Sequence, residues 1–153
     1  MHRVAITGIG IVSCLGCDAA SVGAALRAGE SGIVLDEQRK ELGFRSPLTG
    51  AVRGFEPSTR LSRKQRKSMP DFAQQAYAAV LDALELSGLS PEDIRNPETG
   101  LIFGCDSSCT AIVEQVERLR RYGDTGSIGS GLTFQCITST ITINLNTLLR
   151  TQG

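Results

Sequence analysis

The sequence predicts an α/β protein in which a mixed β-sheet is covered by helices, and three observations support this class. In residues 3–7, Arg3 is followed by apolar or β-branched residues that lead into Gly8, a pattern typical of a buried strand followed by a tight turn. Residues 100–104 show a second apolar run between two glycines. Three longer segments carry apolar residues at helical spacing, which predicts helices that pack on a sheet.

The first helix is expected directly after the first strand and its glycine turn. Asp18 suits an N-cap, Val22 and Leu26 lie four residues apart on one face, and Gly29 is a typical stop. The segment that follows is rich in glycine and proline up to position 59. We expect it to be mostly loop, with one short strand at residues 49–53.

The second helix has the clearest pattern in the chain. Asp71 is expected to cap it, and a broad apolar face continues to a stop at Gly88. The residues of that face are Phe72, Ala76, Ala79, Val80, Ala83, Leu84 and Leu86. The sequence Ser90-Pro91-Glu92-Asp93 then predicts a single helical turn with proline in its first turn.

The third helix is expected over residues 109–122, with Gly123 as its end. Its predicted inward residues are Ile112, Val116 and Leu119. Residues 123–131 are rich in glycine and predict a loop. Residues 134–149 fit both the alternation of a strand and the repeat of a helix, and the length of the segment favours a helix.

Composition excludes several functional classes. The 153 residues are 41% hydrophobic and 21% charged with a net charge of zero, so the chain as a whole has no general attraction for nucleic acid or acidic lipid. No apolar run is long enough to cross a bilayer, and the amino terminus lacks the layout of a secretory signal. Five scattered cysteines favour reduced thiols. We therefore expect a cytoplasmic protein.

The turn Gly8-Ile9-Gly10 has two interpretations. Glycines after a strand let the backbone approach a dinucleotide at a helix start, which would make this chain a small nucleotide-binding module. However, Ser13 replaces the third glycine of that motif, and no acidic residue ends a second strand about 20 residues on. We favour a tight crossing of strand and turn.

The cysteines have the spacing of metal ligands in only one place. Cys14 and Cys17 form a CxxC pair, and Cys105 with Cys109 could supply two more thiolates. The second pair has the wrong spacing for a zinc knuckle, and the only histidine of the chain is His2. We therefore expect no metal site, and small buried or loop thiols instead.

A basic run provides the strongest binding signal. Five cations fall within eight positions of an otherwise neutral protein: Arg60, Arg63, Lys64, Arg66 and Lys67. Such a run is either a solvated loop or a docking patch for an acidic partner. The residue pattern leaves both open.

The segment from Gly104 to Cys109 leads from the second strand into the third helix through small residues. Its free amides and hydroxyls could contact a ligand or a developing negative charge. Asp106, Ser107 or Ser108 could equally cap the helix. The two interpretations are compatible.

Four stretches in order and spacing resemble the β-ketoacyl-acyl carrier protein synthases of the KAS I/KAS II type, in the thiolase superfamily. They are residues 4–13, 26–33, 61–64 with 69–71, and 100–104. The resemblance implies a thiolase-like layered αβαβα fold, with residues 1–153 as most of its N-terminal half, ending before the nucleophile strand. It also implies a dimeric acyltransferase that condenses an acyl thioester with malonyl-acyl carrier protein, with decarboxylation, in fatty acid or polyketide synthesis.

The resemblance assigns roles to particular positions. It implies that the catalytic cysteine and two histidines lie on a C-terminal part, so no catalytic residue, cofactor or metal is expected in this chain. The basic positions that would receive the acidic carrier protein are Arg63, Lys64 and Lys67. The acyl-pocket positions would be Gly104, Asp106, Ser107 and Ser108, and the segment at the dimer interface and acyl tunnel would contain Phe134 and Ile137.

Two points stay open at the sequence level. Asp106 and the flanking cysteines depart from the small residues of the family, which favours a second hypothesis: a non-catalytic subunit akin to a chain-length factor. The expected partners are the carrier protein, the C-terminal half of the same enzyme and a second subunit, in a homodimer or a heterodimer. Neither nucleic acid nor a membrane is expected as a partner.

Overall fold

The computed structural model describes residues 3–106 and 109–153. Within those ranges its regular secondary structure is almost all helical, with one small sheet. The helices are α1 (Ala19–Ala28), α2 (Glu37–Glu41), α3 (Arg63–Arg66), α4 (Asp71–Ser87), α5 (Pro91–Ile94), α6 (Cys109–Tyr122), α7 (Ser130–Gln135) and α8 (Thr140–Leu149). The strands are β1 (Val34–Leu35) and β2 (Leu48–Thr49), and a 3-10 turn covers Pro57–Thr59.

The chain divides into two compact units. The first contains the residues up to Glu56 and the end of α4, Ala78–Ser87. The second contains Pro57–Tyr77 and Gly88–Gly153. Each unit has its own buried residues, and each is described separately below.

Helix α1 of the first unit begins and ends as predicted. The Asp18 carboxylate accepts a hydrogen bond from the Ser21 N–H at 2.8 Å, and this bond is the main reason that the pKa of Asp18 is lowered. Gly29 ends the helix in the left-handed conformation. Val22 is buried as predicted, whereas Leu26 is exposed and Ala25 is the second buried residue of the helix.

The loop-rich segment of the first unit is more ordered than expected. The predicted strand at 49–53 is only the two-residue strand β2, which pairs antiparallel with β1 so that Val34 faces Thr49. Helix α2 was not predicted. It has no buried residue, so it leaves no apolar pattern, and the Asp36 side chain caps it by accepting from the Arg39 N–H.

The glycine turn of the first unit lies against the end of α4. A Cβ atom on Gly10 would stand 1.6 Å from the Ala79 carbonyl oxygen, and one on Gly8 would stand 2.0 Å from that of Ala83. The backbones are thus too close for any side chain. The close approach of two backbones accounts for both glycines, although the segment before them is not the strand that the tight-crossing interpretation assumes.

The two predicted buried strands are wrong for this chain. Residues 3–7 and 100–104 form no strand ladder, and Val4, Ile6 and Ile102 are 93%, 86% and 96% exposed. The physical reason is that a strand exists only when a neighbour pairs with it, and no described residue pairs with either segment. The apolar pattern is present without the partner strand that would bury it.

The helices of the second unit follow the predicted bounds closely. Helix α4 begins at Asp71, which therefore lies in its first turn and is not its cap, and a left-handed Gly88 follows its end. The Ser90 hydroxyl and the Asp93 carboxylate form a capping box around α5. The pKa of Asp93 is lowered by the hydrogen bond from the Ser90 side chain and, to a lesser extent, from the Ser90 N–H.

Helix α6 has the predicted bounds but not the predicted burial. It covers Cys109–Tyr122 and stops at the left-handed Gly123. Its three expected inward residues are exposed, and only Ala111 is buried. The apolar stripe is real, but no described element covers it.

The ambiguous segment at 134–149 is largely helical, as its length predicts, but it is not one helix, because residues 136–139 form a turn between α7 and α8. Helix α8 buries Ile141, Leu145 and Leu149 along one face, and α7 ends at Gln135. The predicted loop at 123–131 is shorter than expected because α7 begins at Ser130. In the described part of the chain, no helix is both long and apolar enough to cross a membrane.

Candidate functional site

The short helix α3 carries most of the basic run, and a capping box starts it. The Ser62 N–H donates to the Gln65 Oε1 at 2.8 Å, and the Gln65 N–H donates to the Ser62 Oγ at 3.3 Å. This S-x-x-Q arrangement satisfies two backbone donors that the helix itself cannot use. It gives a defined direction to basic side chains that an unstructured loop would leave free.

The corner between α3 and α4 is buried and hydrogen-bonded. Met69 is 1% exposed, and its carbonyl accepts a hydrogen bond from the buried Gln74 Nε2 at 2.9 Å. The Pro70 carbonyl accepts from the N–H groups of Ala73 and Gln74. These bonds leave the corner little freedom, so the basic helix is held at a fixed angle to α4.

Two later helices fasten the same corner from the other side. The Ser68 hydroxyl donates to the Asn144 Oδ1 at 3.0 Å, and the Gln135 Nε2 donates to the Lys67 carbonyl at 3.2 Å. A Cβ on Gly131 would stand 2.7 Å from that carbonyl, so α7 packs directly against the residue that follows α3. The site is thus built from segments about 70 residues apart in sequence.

These elements enclose an open groove with a volume of about 1030 Å³. It is lined by Arg63, Lys64, Arg66, Lys67, Met69, Pro70, Asp71, Phe72, Gln74, Thr110, Ala111, Glu114 and Gln135. Four cations and two carboxylates therefore face the groove. All of these residues belong to the second unit.

The positive charge of the groove is largely uncompensated. Arg63, Lys64 and Lys67 are exposed, and none of them forms an ion pair with another described residue. The carboxylate of Glu114 is engaged by Arg118, whose Nε and Nη2 lie 3.1 and 2.5 Å from its Oε1. The groove thus presents a surplus of positive charge in a protein whose net charge is zero, which suits an anionic partner.

The structure brings together the three basic residues that the resemblance singled out, and it adds others. Arg66 was part of the basic run but was not assigned a role, although its spacing of three from Arg63 places both on one turn of α3. Met69 and Pro70 also line the groove and were not predicted to do so, whereas Phe72 was predicted on the apolar face of the helix but not at this groove.

The expected acyl-pocket residues lie outside the groove. Gly104 and Asp106 belong to the exposed extended segment before α6, and a Cβ on Gly104 would meet no atom within 4 Å. Ser107 and Ser108 lie outside the described residues. The four positions therefore stay a prediction.

The expected interface residues are close to the groove in sequence but do not line it. Phe134 is 50% exposed on α7, next to the groove residue Gln135. Ile137 follows α7 and is partly buried. An exposed aromatic side chain on a fixed helix is a suitable contact for a second subunit, and that role stays a prediction.

Two cysteines contact other groups of the described chain, and Cys109 is the first residue of α6. The expectation that this chain holds no catalytic cysteine stays a prediction. The Cys17 thiol donates to the Arg53 carbonyl at 3.4 Å, and the Cys136 sulfur contacts the Gln115 amide. The only histidine, His2, lies outside the described residues. Among the described residues, no group of three or more His, Cys, Asp and Glu side chains could hold a metal ion.

Comparison with known proteins agrees with the resemblance stated above. The family model described as "Beta-ketoacyl synthase, N-terminal domain" matches residues 1–153. A curated relative, 3-oxoacyl-[acyl-carrier-protein] synthase 1 of Haemophilus influenzae, is 38% identical over 104 residues, covering 68% of this chain and 25% of the relative. The chain therefore spans a minor part of the length of such relatives.

Solved structures show the same backbone. A β-ketoacyl synthase from Burkholderia phymatum STM815 superimposes with a TM-score of 0.84 at 25% identity, covering all of this chain and 38% of that one. A type II PKS acyl-carrier protein in complex with its ketosynthase, AntDE:AntF, gives a TM-score of 0.66 at 18% identity, covering 96% of this chain and 39% of that one, and supports the fold alone. The fold is that of the first part of a thiolase-like ketosynthase, and the chain belongs to the β-ketoacyl synthase family through its N-terminal domain.

Proposed function

We propose that this chain is the N-terminal part of a 3-oxoacyl-acyl carrier protein synthase and that its basic groove docks the acidic carrier protein. In the reaction, a cysteine thiolate first takes the acyl group from a carrier thioester. Malonyl-carrier protein then loses CO₂, and the resulting carbanion attacks the acyl-enzyme carbonyl. The bond between carbonyl and sulfur breaks, the thiolate leaves, and 3-oxoacyl-carrier protein is released.

The observation that carries the proposal is the groove between α3, α4 and α6. Its surplus of cations lies on a short helix whose corner with α4 is fixed by a buried hydrogen bond, and described carboxylates do not neutralise it. Such a surface attracts an acidic protein over a Debye length of about 8–10 Å and orients it on arrival. The relative from Haemophilus influenzae carries the acyl carrier protein in its name, which gives the acidic partner an identity.

We assign the chemistry itself to residues that follow Gly153. The reaction needs a cysteine with an activating environment and two histidines, whereas this chain has one histidine in all. The isolated 153-residue chain is therefore expected to show no condensing activity, and a complementing C-terminal polypeptide is expected to restore it. Within this chain, Gly104 to Ser108 would border the acyl pocket, and Phe134 and Ile137 would meet the second subunit.

A charge-reversal series in the intact protein tests the docking proposal. The triple variant Arg63→Glu, Lys64→Glu, Lys67→Glu removes the exposed cations of the groove. Arg120→Glu is the matched control, because Arg120 is an exposed cation of α6 that does not line the groove. Activity is measured with malonyl-carrier protein and, in parallel, with a malonyl thioester of pantetheine that carries no protein.

The expected result is a split between the two substrates. If each of the three exposed cations contributes roughly 0.5–1 kcal/mol to docking, reversing all three raises the KM for the carrier substrate by about 10- to 100-fold. Added salt should reduce this increase. The activity of the triple variant with the pantetheine thioester should stay within about twofold of the parent, because that substrate carries no protein. The activity of Arg120→Glu with malonyl-carrier protein should also stay within about twofold, because Arg120 does not line the groove. Equal losses with both substrates, or no loss with either, would exclude the groove as the docking surface.

A second candidate is a non-catalytic partner subunit that docks the carrier protein and shapes an acyl tunnel for another chain. Asp106, which is exposed between Cys105 and the start of α6, favours it, because a charged residue suits a pocket for ordinary fatty acyl chains poorly. The residue at the nucleophile position of the complete protein decides between the two: cysteine supports the enzyme, and any other residue supports the partner subunit.

A further inference from the structure

Gly153 packs against the turn of residues 95–99, which follows α5 within the second unit. Its N–H donates a hydrogen bond to the Thr99 carbonyl at 3.2 Å. A Cβ atom on Gly153 would stand 2.6 Å from that carbonyl oxygen and 2.8 Å from the Pro97 carbonyl oxygen. Gly153 does not have a positive φ. The close approach of two backbones, and not the conformation of the residue, therefore excludes a side chain at this position.

The turn that faces Gly153 is itself held by hydrogen bonds. The Asn96 Oδ1 accepts from the Glu98 N–H at 2.8 Å, and the Asn96 Nδ2 donates to the Asp93 carbonyl. The Thr99 N–H donates to the Asn96 carbonyl at 3.3 Å. An asparagine that bonds to its neighbouring backbone in this way stabilises a turn. The carbonyls that face Gly153 are thus backbone groups of a bonded turn and cannot rotate away as the end of a side chain can.

The path from α8 to Gly153 is fixed from the other direction as well. The Arg95 Nε donates to the Leu149 carbonyl at 3.4 Å, so the same turn also contacts the last turn of α8. Thr151 is buried, and its hydroxyl donates to the Asn146 Oδ1 at 2.7 Å. The chain therefore reaches Gly153 with little freedom, because contacts hold it both at the end of α8 and at the turn.

We propose that Gly153 is a positioning residue for the nucleophilic cysteine. This inference rests on the proposed function, which assigns that cysteine to residues that follow Gly153, and it deepens it. Because Gly153 lacks a side chain, the chain passes in contact with the backbone of the turn, and this contact sets where the following segment begins. A Cβ atom would need to move by at least about 0.4 Å, from 2.6 Å to the 3.0 Å below which such contacts essentially do not occur. A nucleophile misplaced by about 1 Å loses on the order of 100-fold in rate.

Two half-reactions of the intact protein test the inference. In acylation, the cysteine thiolate attacks the carbonyl carbon of an acyl-carrier thioester. The bond between that carbon and the carrier sulfur breaks, and the carrier thiolate leaves and takes up a proton. In decarboxylation, a malonyl thioester loses CO₂, and the carbanion takes up a proton to give the acetyl thioester without any bond to the cysteine. Intact mass measures the acyl-enzyme, and released CO₂ measures the decarboxylation.

The expected result is a loss of acylation alone. Gly153→Ala should slow acylation by about 10-fold and Gly153→Val by about 100-fold, because the larger side chain displaces the chain further. Decarboxylation should stay within about threefold of the parent, since it needs no bond to the cysteine, and the KM for the acyl carrier should stay within about twofold, because Gly153 does not line the groove. Gly129→Ala is the matched control. Gly129 is an exposed glycine of the same unit, and a Cβ on it would meet no atom within 4 Å, so both rates should stay within about twofold.

Thermal unfolding of each variant sets the temperature of the assays, at which all of them are folded. Equal losses of acylation and decarboxylation in Gly153→Ala would make Gly153 a structural residue and overturn the inference. Acylation of Gly153→Ala and Gly153→Val at the parental rate would also overturn it, and the proposed function would stand. If the intact parent forms no acyl-enzyme, the inference fails together with the proposed function.

Discussion

Replacing Gly10 with alanine should destabilise the first unit more than any other glycine-to-alanine change outside the site. A Cβ atom at this position would stand 1.6 Å from the Ala79 carbonyl oxygen and 2.9 Å from its Cα. Cβ atoms essentially never lie within 3.0 Å of another heavy atom, so the turn or the helix must move by about 1.4 Å. The obstacle is backbone, which cannot rotate away as a side chain can.

The loss in the free energy of unfolding caused by Gly10→Ala can be bounded from known cases. Inserting one methyl group into a packed interior costs about 1–3 kcal/mol when side chains relax, and changes above about 4 kcal/mol need a mechanism such as a forced backbone shift. We therefore expect Gly10→Ala to cost about 3–5 kcal/mol. At about 2–4 °C per kcal/mol for a chain of this size, the Tm of the intact protein should fall by roughly 10 °C.

Two matched variants isolate the steric cause. Gly29 has a φ of 69° and open space around it, so Gly29→Ala pays only the strain of the left-handed conformation, about 1 kcal/mol. Gly100 has neither a positive φ nor an atom within 4 Å of a Cβ, so Gly100→Ala should change stability by less than about 0.5 kcal/mol. The expected loss of stability is largest for Gly10→Ala, smaller for Gly29→Ala and smallest for Gly100→Ala. A Tm for Gly10→Ala within 2 °C of the parent would refute the close contact with α4.

Four further outcomes are expected. Arg150 has a φ of 59° at the end of α8, so Arg150→Gly should raise the free energy of unfolding by about 0.5–1 kcal/mol in a denaturant titration. Leu145 is fully buried on α8, so Leu145→Ala should cost about 2–5 kcal/mol, and Ala in place of the more exposed Ile143 should cost far less. Hydrogen bonds from Ser90 lower the pKa of Asp93 from 3.8. The stabilisation by the ionised Asp93 is therefore complete above about pH 4 and is lost as the pH falls through the lowered pKa. The difference in Tm between the parent and Asp93→Ala should shrink over that pH range. The 153-residue chain alone should aggregate in light scattering because of its exposed apolar segments, and a monodisperse monomer with cooperative melting would contradict this.

The sequence predicted helix ends well because their signals are local. Asp18 caps α1 through a hydrogen bond to Ser21, three residues away, and Ser90 does the same for α5. Gly88 and Gly123 follow their helices in the left-handed conformation that favours glycine. Each of these devices acts within a few residues, so its residues and its spacing can be recognised before any tertiary contact is known.

The candidate site could be predicted only in part, for a related reason. The basic run can be recognised from the sequence, and the three cations that were expected to dock the carrier protein do line one groove. What the pattern could not give was the fixed geometry, which depends on Gln135 and Asn144 reaching the carbonyl of Lys67 and the hydroxyl of Ser68 from far along the chain. Nor could it show that Arg66 is partly buried, since burial depends on tertiary packing.

The wrong predictions of buried residues have the same physical cause as the unpredicted geometry of the groove. Apolar periodicity predicts which face of a strand or helix packs against a partner. It does not predict whether that partner belongs to the same stretch of chain. Val4, Ile6 and Ile102 carry the pattern of interior strands, and the stripe of α6 carries the pattern of a covered helix, yet all are exposed among the described residues. The backbone still follows that of a ketosynthase with a TM-score of 0.84. Caps and close glycine contacts act locally and are present here, whereas the described residues supply neither a partner strand for residues 3–7 and 100–104 nor a cover for the stripe of α6.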